Sequence, residues 1–296
     1  MRHTASNESG TVASLTLACL FQVPHHVAFV MDGNRRFAKA HQLGHVIHGH
    51  EKGFQQLAKI LEWCQELGIR EVTVYAFSIE NFKRSSEEVD GLMKLADEKF
   101  AKLLAEREKL EEKQISFRFF GNIAMLSPSL RKHIAQIHTS RGVVNVCMPY
   151  TSRDEMARAF ELMRKGREKV GLIEESQISE WLVSRCLDSR RGTEPNLLIR
   201  TSGEKRLSDF MLWQCSSSHV YFDDVLWPEF TFWHLCKALL SYQYHCSSIE
   251  VLILCFIVFS RFDACSSRKL NVAKMLQHHQ RRNGLLRSPS LTSLRT

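Results

Sequence analysis

Apolar positions along this chain fall into two alternating kinds of run. The first kind is short, apolar on both faces and rich in β-branched and aromatic residues: 27–31 (VAFVM), 71–77 (EVTVYAF), 116–120 (SFRFF), 143–148 (VVNVCM), 196–200 (NLLIR) and 220–226 (VYFDDVL). Such runs predict strands covered on both sides. The second kind repeats apolar residues at helical spacing. Phe54, Leu57, Ile60 and Leu61 mark a helix over 52–66. A longer helix is predicted over 86–113, with Ser85 or Ser86 as N-cap and Glu88 close behind. Val89, Leu92, Met93, Ala96, Phe100, Leu103, Leu104 and Leu110 line one of its faces.

Strand–helix alternation of this kind predicts an α/β fold: a single domain with a mostly parallel six-stranded sheet covered by helices. A chain of 296 residues, 44% apolar, can bury one core and still carry tails. The expected organisation is a leader over 1–23, poorly ordered or touching a membrane, a domain over 24–245, and a divergent tail over 246–296 that is first apolar (IEVLILCFIVF) and then basic. The leader's run VASLTLACLFQV lacks a small-residue cleavage site, which argues against a signal peptide, and no run is long enough to span a bilayer. The formal charge of +8 favours an anionic partner, but much of the excess lies in the last residues (HHQRRNGLLRSPSLTSLRT), which weakens a nucleic-acid reading. Nine cysteines without a CxxC pair indicate neither zinc nor a disulfide framework.

In a parallel sheet, ligands bind beyond the carboxyl ends of the strands. The polar clusters of this chain fall there: DGNRR after the first run, SIENFKR after the second, PYTSRDE after the fourth, TSGEKRLSDF after the fifth and WPEF after the sixth. They bring together Arg35, Arg36, Arg84, Arg200 and Arg206, with the hydroxyls of Ser78, Ser202 and Ser208. Guanidinium forks in that number suit more than one phosphate group. Gly33 and Asn34 open a helix, whose free N–H groups favour an anion. Asp32 is the odd member, a carboxylate among phosphate-binding groups. A magnesium ion held by one carboxylate and substrate phosphates resolves that conflict. A DG dipeptide, an arginine at a helix start or a histidine such as His50 is by itself ordinarily structural; the coincidence of clusters is what points to a site.

HVAFVMDGNRRFA, GHEKGF, YAFSIENFKR, NVCMPYTSRDE, LLIRTSGEKRLSDFMLWQ and VLWPEF resemble, in order and spacing, the motifs of the cis-prenyltransferases, the undecaprenyl diphosphate synthase-like family. The resemblance covers about residues 24–245 and is greatest to the eukaryotic catalytic subunits that make the dolichol precursor. It implies a magnesium-dependent enzyme that adds isopentenyl diphosphate units in cis to farnesyl diphosphate, giving long-chain polyprenyl diphosphate. It also implies an apolar product tunnel between sheet and helices, which Met93, Phe100 and Leu104 could line. By matching position, Asp32 would hold magnesium and assist departure of the allylic diphosphate, which Gly33, Asn34, Arg35, Arg36 and His50 would cradle. Arg200, Arg206 and Ser208, with Arg84 nearby, would bind isopentenyl diphosphate, and Ser78 and Asn81 would orient its alkene and relay its proton.

Several positions depart from the family pattern. His45 and Val46 stand where arginine is frequent, with one extra residue, and Asn122 and Asn196 replace aspartates. A glutamate that serves bacterial members as a second metal ligand reads His219 here, the one residue that could supply that ligand internally. Eukaryotic catalytic subunits also lack that glutamate and work with a Nogo-B receptor-like subunit, which contributes an RxG terminus that this chain does not carry. The resemblance therefore implies a heteromer, peripheral on the cytosolic face of the endoplasmic reticulum membrane. A non-catalytic scaffolding subunit of the same complex is the alternative, opposed by the intact Asp32, Arg35, Arg36, Arg200 and Arg206.

Overall fold

In the computed structural model of the chain, residues 22–112, 115–138, 144–170 and 178–246 are described. Most of the expected leader, and the tail from 247 on, lie outside them. The six apolar runs form six strands: β1 His26–Val30, β2 Glu71–Tyr75, β3 Phe117–Phe120, β4 Val144–Cys147, β5 Leu197–Arg200 and β6 His219–Phe222. They make one sheet in the order β3-β4-β2-β1-β5-β6, and every pairing is parallel.

Helices connect them: α1 Asn34–Ala40, α2 Val46–Glu66, α3 Ser86–Ala105, α4 Arg107–Glu112, α5 Pro128–Ile137, α6 Ser152–Val170, α7 Glu180–Cys186 and α8 over residues 232–246. α2 begins six residues before the start expected at 52, because the His45 side chain caps it by accepting from Ile47 N. The helix expected over 86–113 is instead two helices. Ser85 caps α3 as anticipated, but the backbone leaves helical geometry at Glu106 (φ −100°, ψ 16°). β6 stops four residues short of 226, since the Asp223 side chain turns the backbone by accepting from Val225 N.

Side chains alternate across the sheet even though β1 is apolar from Val27 to Val30. Val27 and Phe29 enter a large core with Ile60, Phe100 and Trp227, while Ala28 and Val30 enter a smaller one with Tyr150, Leu198 and Phe210. Phe29 meets Trp227 edge-on with ring centroids 5.8 Å apart. Truncating such a ring costs about 3–5 kcal/mol.

The amino end of the sheet holds a buried polar network drawn from four adjacent strands. Arg118 Nη2 donates to Glu71 Oε1 at 2.6 Å and Nε donates to Asn145 Oδ1 at 2.9 Å, while a third nitrogen reaches the Arg191 carbonyl. Asn145 Nδ2 donates to Glu71 and to Thr73 Oγ1. His26 Nδ1 donates to the Thr193 carbonyl at 2.8 Å, so its Nε2 accepts from Thr73 Oγ1 at 2.7 Å. Burial pushes the His26 imidazole down to about 4, against the pull of Glu71, so it sits neutral with both nitrogens bonded.

Candidate active site

β1 has β2 on one side and β5 on the other, and the chain winds outward in opposite directions from these central strands. The crevice where winding reverses is where a parallel sheet accepts ligands. Asp32 follows β1 and Arg200 ends β5, so both face that crevice. Arg200 Nη2 donates to Asp32 Oδ2 at 2.8 Å, and Arg200 Nη1 donates to Ser208 Oγ at 2.7 Å and to the Arg206 carbonyl. Burial raises the Asp32 pKa, but the Arg200 hydrogen bond and charge, the Gly33 N–H at 2.7 Å and Arg36 outweigh it and hold the carboxyl below its ordinary value. Asp32 is thus an anion with hard oxygens facing the crevice.

Gly33 precedes α1 at φ 109°, a conformation that a side chain would strain, and Leu226 leaves no room for one. Gly49 and Gly53 stand one turn apart on α2, against the start of α1. A methyl on Gly49 would overlap the Asn34 carbonyl, and one on Gly53 would overlap Asn34 Oδ1. This packing seals Asn34 Oδ1 from water without giving it a hydrogen-bond partner. His50 Nε2 and Arg200 Nε share that condition. Buried polar atoms are nearly always bonded. Of the five unpaired ones among the described residues, Asn34 Oδ1 is closed off by α2 and those of Gln214 and Gln243 lie away from the cavity, whereas His50 and Arg200 line it and have a nitrogen free to meet a ligand. Burial, then the charges of Arg84 and Arg35, push His50 down to about 4. Glu88 stands between those two arginines, 2.8 Å from Arg84 Nη1 and 3.9 Å from Arg35 Nη1. Burial and the Arg35 charge lower the Arg84 pKa, which shows how crowded with positive charge this corner is.

Many of these groups line a cavity of ≈ 990 Å³. Asp32, Asn34, Arg35, His50, Ser78, Asn81, Arg84, Arg200, Arg206 and Ser208 reach its wall. Two expected site residues do not. Gly33 shapes the backbone, and Arg36 turns to the loop after β5, donating to the Ser202 carbonyl at 3.0 Å and holding that serine's hydroxyl as well. Ser78 and Asn81 cap each other across the 3₁₀ turn Ile79–Lys83, with Ser78 N donating to Asn81 Oδ1 at 3.0 Å. The lining also carries many apolar side chains, among them Leu57, Leu61, Leu92, Phe100, Leu103 and Phe117. Of the three α3 residues expected to line it, Phe100 does; Met93 and Leu104 pack into the core instead.

His219 does not approach the site. It begins β6 level with Leu197, at the amino end of the strand, where its Nε2 meets Ser241 Oγ at 2.9 Å and its ring stacks on His245. The expectation that it might supply a second metal ligand is therefore wrong by the length of a strand. Asn196 accepts from His26 N and pins β5 to β1, while Asn122 N–H donates to the Pro149 carbonyl. Arg153 and Asp209 also line the cavity. They lie inside two of the quoted motifs, but Asp209 pairs with Arg153 across 56 residues, which no spacing announces.

Comparison with known proteins agrees with this geometry. Residues 30–249 match the prenyltransferase family described as undecaprenyl diphosphate synthase. A dehydrodolichyl diphosphate synthase complex subunit of Mus musculus is 51% identical over 226 residues, 75% of this chain and 67% of that protein. The Homo sapiens subunit of the same description is 50% identical over 233 residues, 77% of this chain and 69% of that one. Among solved structures, lavandulyl diphosphate synthase from Lavandula x intermedia, in complex with dimethylallyl diphosphate, aligns with a TM-score of 0.68 and 31% identity over 75% of this chain and 95% of that one.

Proposed function

The chain belongs to the undecaprenyl diphosphate synthase family of prenyltransferases, and from that premise we propose that it is the catalytic subunit of a dehydrodolichyl diphosphate synthase complex. Its reaction adds isopentenyl diphosphate units in cis to farnesyl diphosphate, and its product is the polyprenyl diphosphate from which dolichol is made. The observation that carries this reading is one cavity whose lining joins many apolar side chains to several arginines, a carboxylate and the unpaired Arg200 Nε–H. An allylic diphosphate needs both kinds of lining.

The donor set fits magnesium. Asp32 offers hard carboxylate oxygens, and among the described residues no group of three or more His, Cys, Asp or Glu gathers for a metal. One carboxylate completed by diphosphate oxygens and water is how this ion is ordinarily held. Bound there, it would neutralise charge on the departing diphosphate. Asn34, Arg35 and His50 would bind the allylic diphosphate, with Arg36 acting through the loop after β5. Arg200, Arg206, Ser208 and Arg84 would hold the isopentenyl diphosphate. Arrival of that anion gives the unpaired Arg200 Nε a partner and offsets the charge that now depresses His50. Ser78 and Asn81, locked together by their reciprocal cap, would fix the alkene over the allylic carbon.

The family relatives named as complex subunits support a partner. We assign it as a Nogo-B receptor-like subunit, and place the complex on the cytosolic face of the endoplasmic reticulum membrane. No helix among the described residues is long and apolar enough to cross a bilayer, in keeping with peripheral attachment. The test is incorporation of radiolabelled isopentenyl diphosphate into long-chain lipid with farnesyl diphosphate and magnesium, using the chain alone, with the partner, and as Asp32→Ala. Product that requires the partner and vanishes in Asp32→Ala supports the reading. Folded protein that makes none under any condition would leave a scaffolding subunit.

A further inference from the structure

The loop that follows β5 is the most strained backbone in the site. Ser202 (φ 80°), Ser208 (φ 51°), Asp209 (φ 58°) and Met211 (φ 45°) all occupy the left-handed region without being glycine. A side chain is strained in that conformation, so something outside the loop must hold it. Its contacts show what does. Asp209 Oδ1 accepts from the backbone N of Arg153 at 3.1 Å, and Oδ2 accepts from Arg153 Nε at 2.9 Å. Around this fork, Ser152 N donates to the Asp209 carbonyl at 2.7 Å, and Leu212 N donates to Ser152 Oγ at 3.0 Å. Four bonds thus tie the loop to the first turn of α6, which stands on the rigid sheet through β4.

The Asp209 side chain is mostly buried (12% exposed), whereas Arg153 is 77% exposed, so the fork forms at the rim of the cavity rather than in bulk water. Ser208 is the adjacent residue. Its hydroxyl takes a hydrogen bond from Arg200 Nη1, and Arg200 in turn holds Asp32. From Arg153 the chain of contacts therefore runs through Asp209, Ser208 and Arg200 to Asp32.

We propose that Asp209 is a positioning residue for the isopentenyl diphosphate subsite: by gripping Arg153 it holds Ser208 and Arg200 in the strained arrangement that receives the incoming diphosphate. The proposal rests on the prenyltransferase reading above. It separates two substrates that share one cavity. The homoallylic side is built from the loop it holds, with Ser208 its direct neighbour, whereas the allylic side is built mainly from α1 and α2 and meets that loop only through Asp32 on Arg200 and Arg36 on Ser202. Releasing the latch should therefore weaken one substrate far more than the other.

The experiment is steady-state kinetics of the complex with its partner, varying each diphosphate separately, for wild type, Asp209→Ala, Asp209→Asn and Arg153→Gln. Losing hydrogen bonds to a charged group corresponds to about a tenfold effect or more. Asp209→Ala is expected to raise KM for isopentenyl diphosphate about tenfold while KM for farnesyl diphosphate changes less than about twofold. Asp209→Asn keeps an oxygen for the Arg153 N–H and should recover part of the loss; Arg153→Gln should fall between them. Equal rises in both KM values, or a fall in kcat alone that tracks a lowered Tm, would overturn the positioning role, and so would kinetics unchanged in Asp209→Ala. Wild-type complex without turnover would overturn the prenyltransferase reading itself, and inorganic diphosphate binding by calorimetry then separates the two: equal affinity of wild type and Asp209→Ala would sink the latch as well.

Discussion

The two ends of the sheet use similar side chains to opposite effect. At the amino end, Glu71, Arg118, Asn145, Thr73 and His26 are buried and their polar atoms meet one another. At the carboxyl end, Arg200 is buried and Asp32, Asn34 and His50 are half-buried, yet three of the four carry a buried atom with no partner. The two histidines make the contrast sharpest. Burial leads the fall of both to about 4, but both nitrogens of His26 are bonded, while Nε2 of His50, a residue of the cavity wall, is buried and unpaired. Burial alone therefore does not distinguish structure from function. What distinguishes them is whether the polar valence is filled from within.

The contrast can be broken most forcefully at the filled end. Arg118→Met leaves Glu71 buried without its charge partner, and should cost about 3–5 kcal/mol in urea unfolding, with activity per folded molecule kept. Asp32→Asn at the open end should fall chiefly on the chemistry: turnover drops about 10²–10³-fold in the radiolabel assay, while unfolding loses less than in Arg118→Met because the amide oxygen still accepts from the buried Arg200. Gly53→Ala tests a residue that serves both ends of the argument, since its methyl would crowd Asn34 Oδ1 and Trp227. Overpacking there should cost about 1–3 kcal/mol and also raise KM for farnesyl diphosphate, whereas a stability loss with KM unchanged would place Gly53 with the scaffold. The smallest effect is that of pH. Both histidines have folded pKa values below the unfolded 6.5, so the unfolded chain binds more protons between 6.5 and about 4. Stability should be full above 6.5 and decline as pH falls toward 4. The slope should be shallower in His50→Gln, and a saturating diphosphate should flatten the His50 share while leaving that of His26.

Much of this was legible in the residues themselves. All six strands overlap the short, largely apolar, β-branched and aromatic runs, because a sheet covered by helices draws such residues to both faces. Asp32 and Arg200 were legible because they sit just beyond or at the carboxyl end of a strand, and Arg84 because it closes the polar cluster after β2; strand ends in such a sheet converge. Three kinds of feature were not. The break at Glu106 lies within a continuous apolar stripe, and periodicity does not report where the backbone turns aside. The amino-end network is scattered over positions 26 to 193, and a charged residue inside a strand reads as solvent-facing until its partner strands are known. His219 was misplaced because counting from Trp213 follows the chain, whereas β6 carries that position to the far end of the sheet.

Because every strand runs the same way, the loops that bear the chemistry and the network that ties the strands together are separated by the full depth of the sheet. Mutation at the open end thus has little fold to lose. After gene duplication, one copy of such a domain can shed the exposed Arg206 and survive as a well-folded, inactive subunit, free to specialise in assembly. A copy that loses Arg118 has no such future, since it fails as a fold before selection can find it another use.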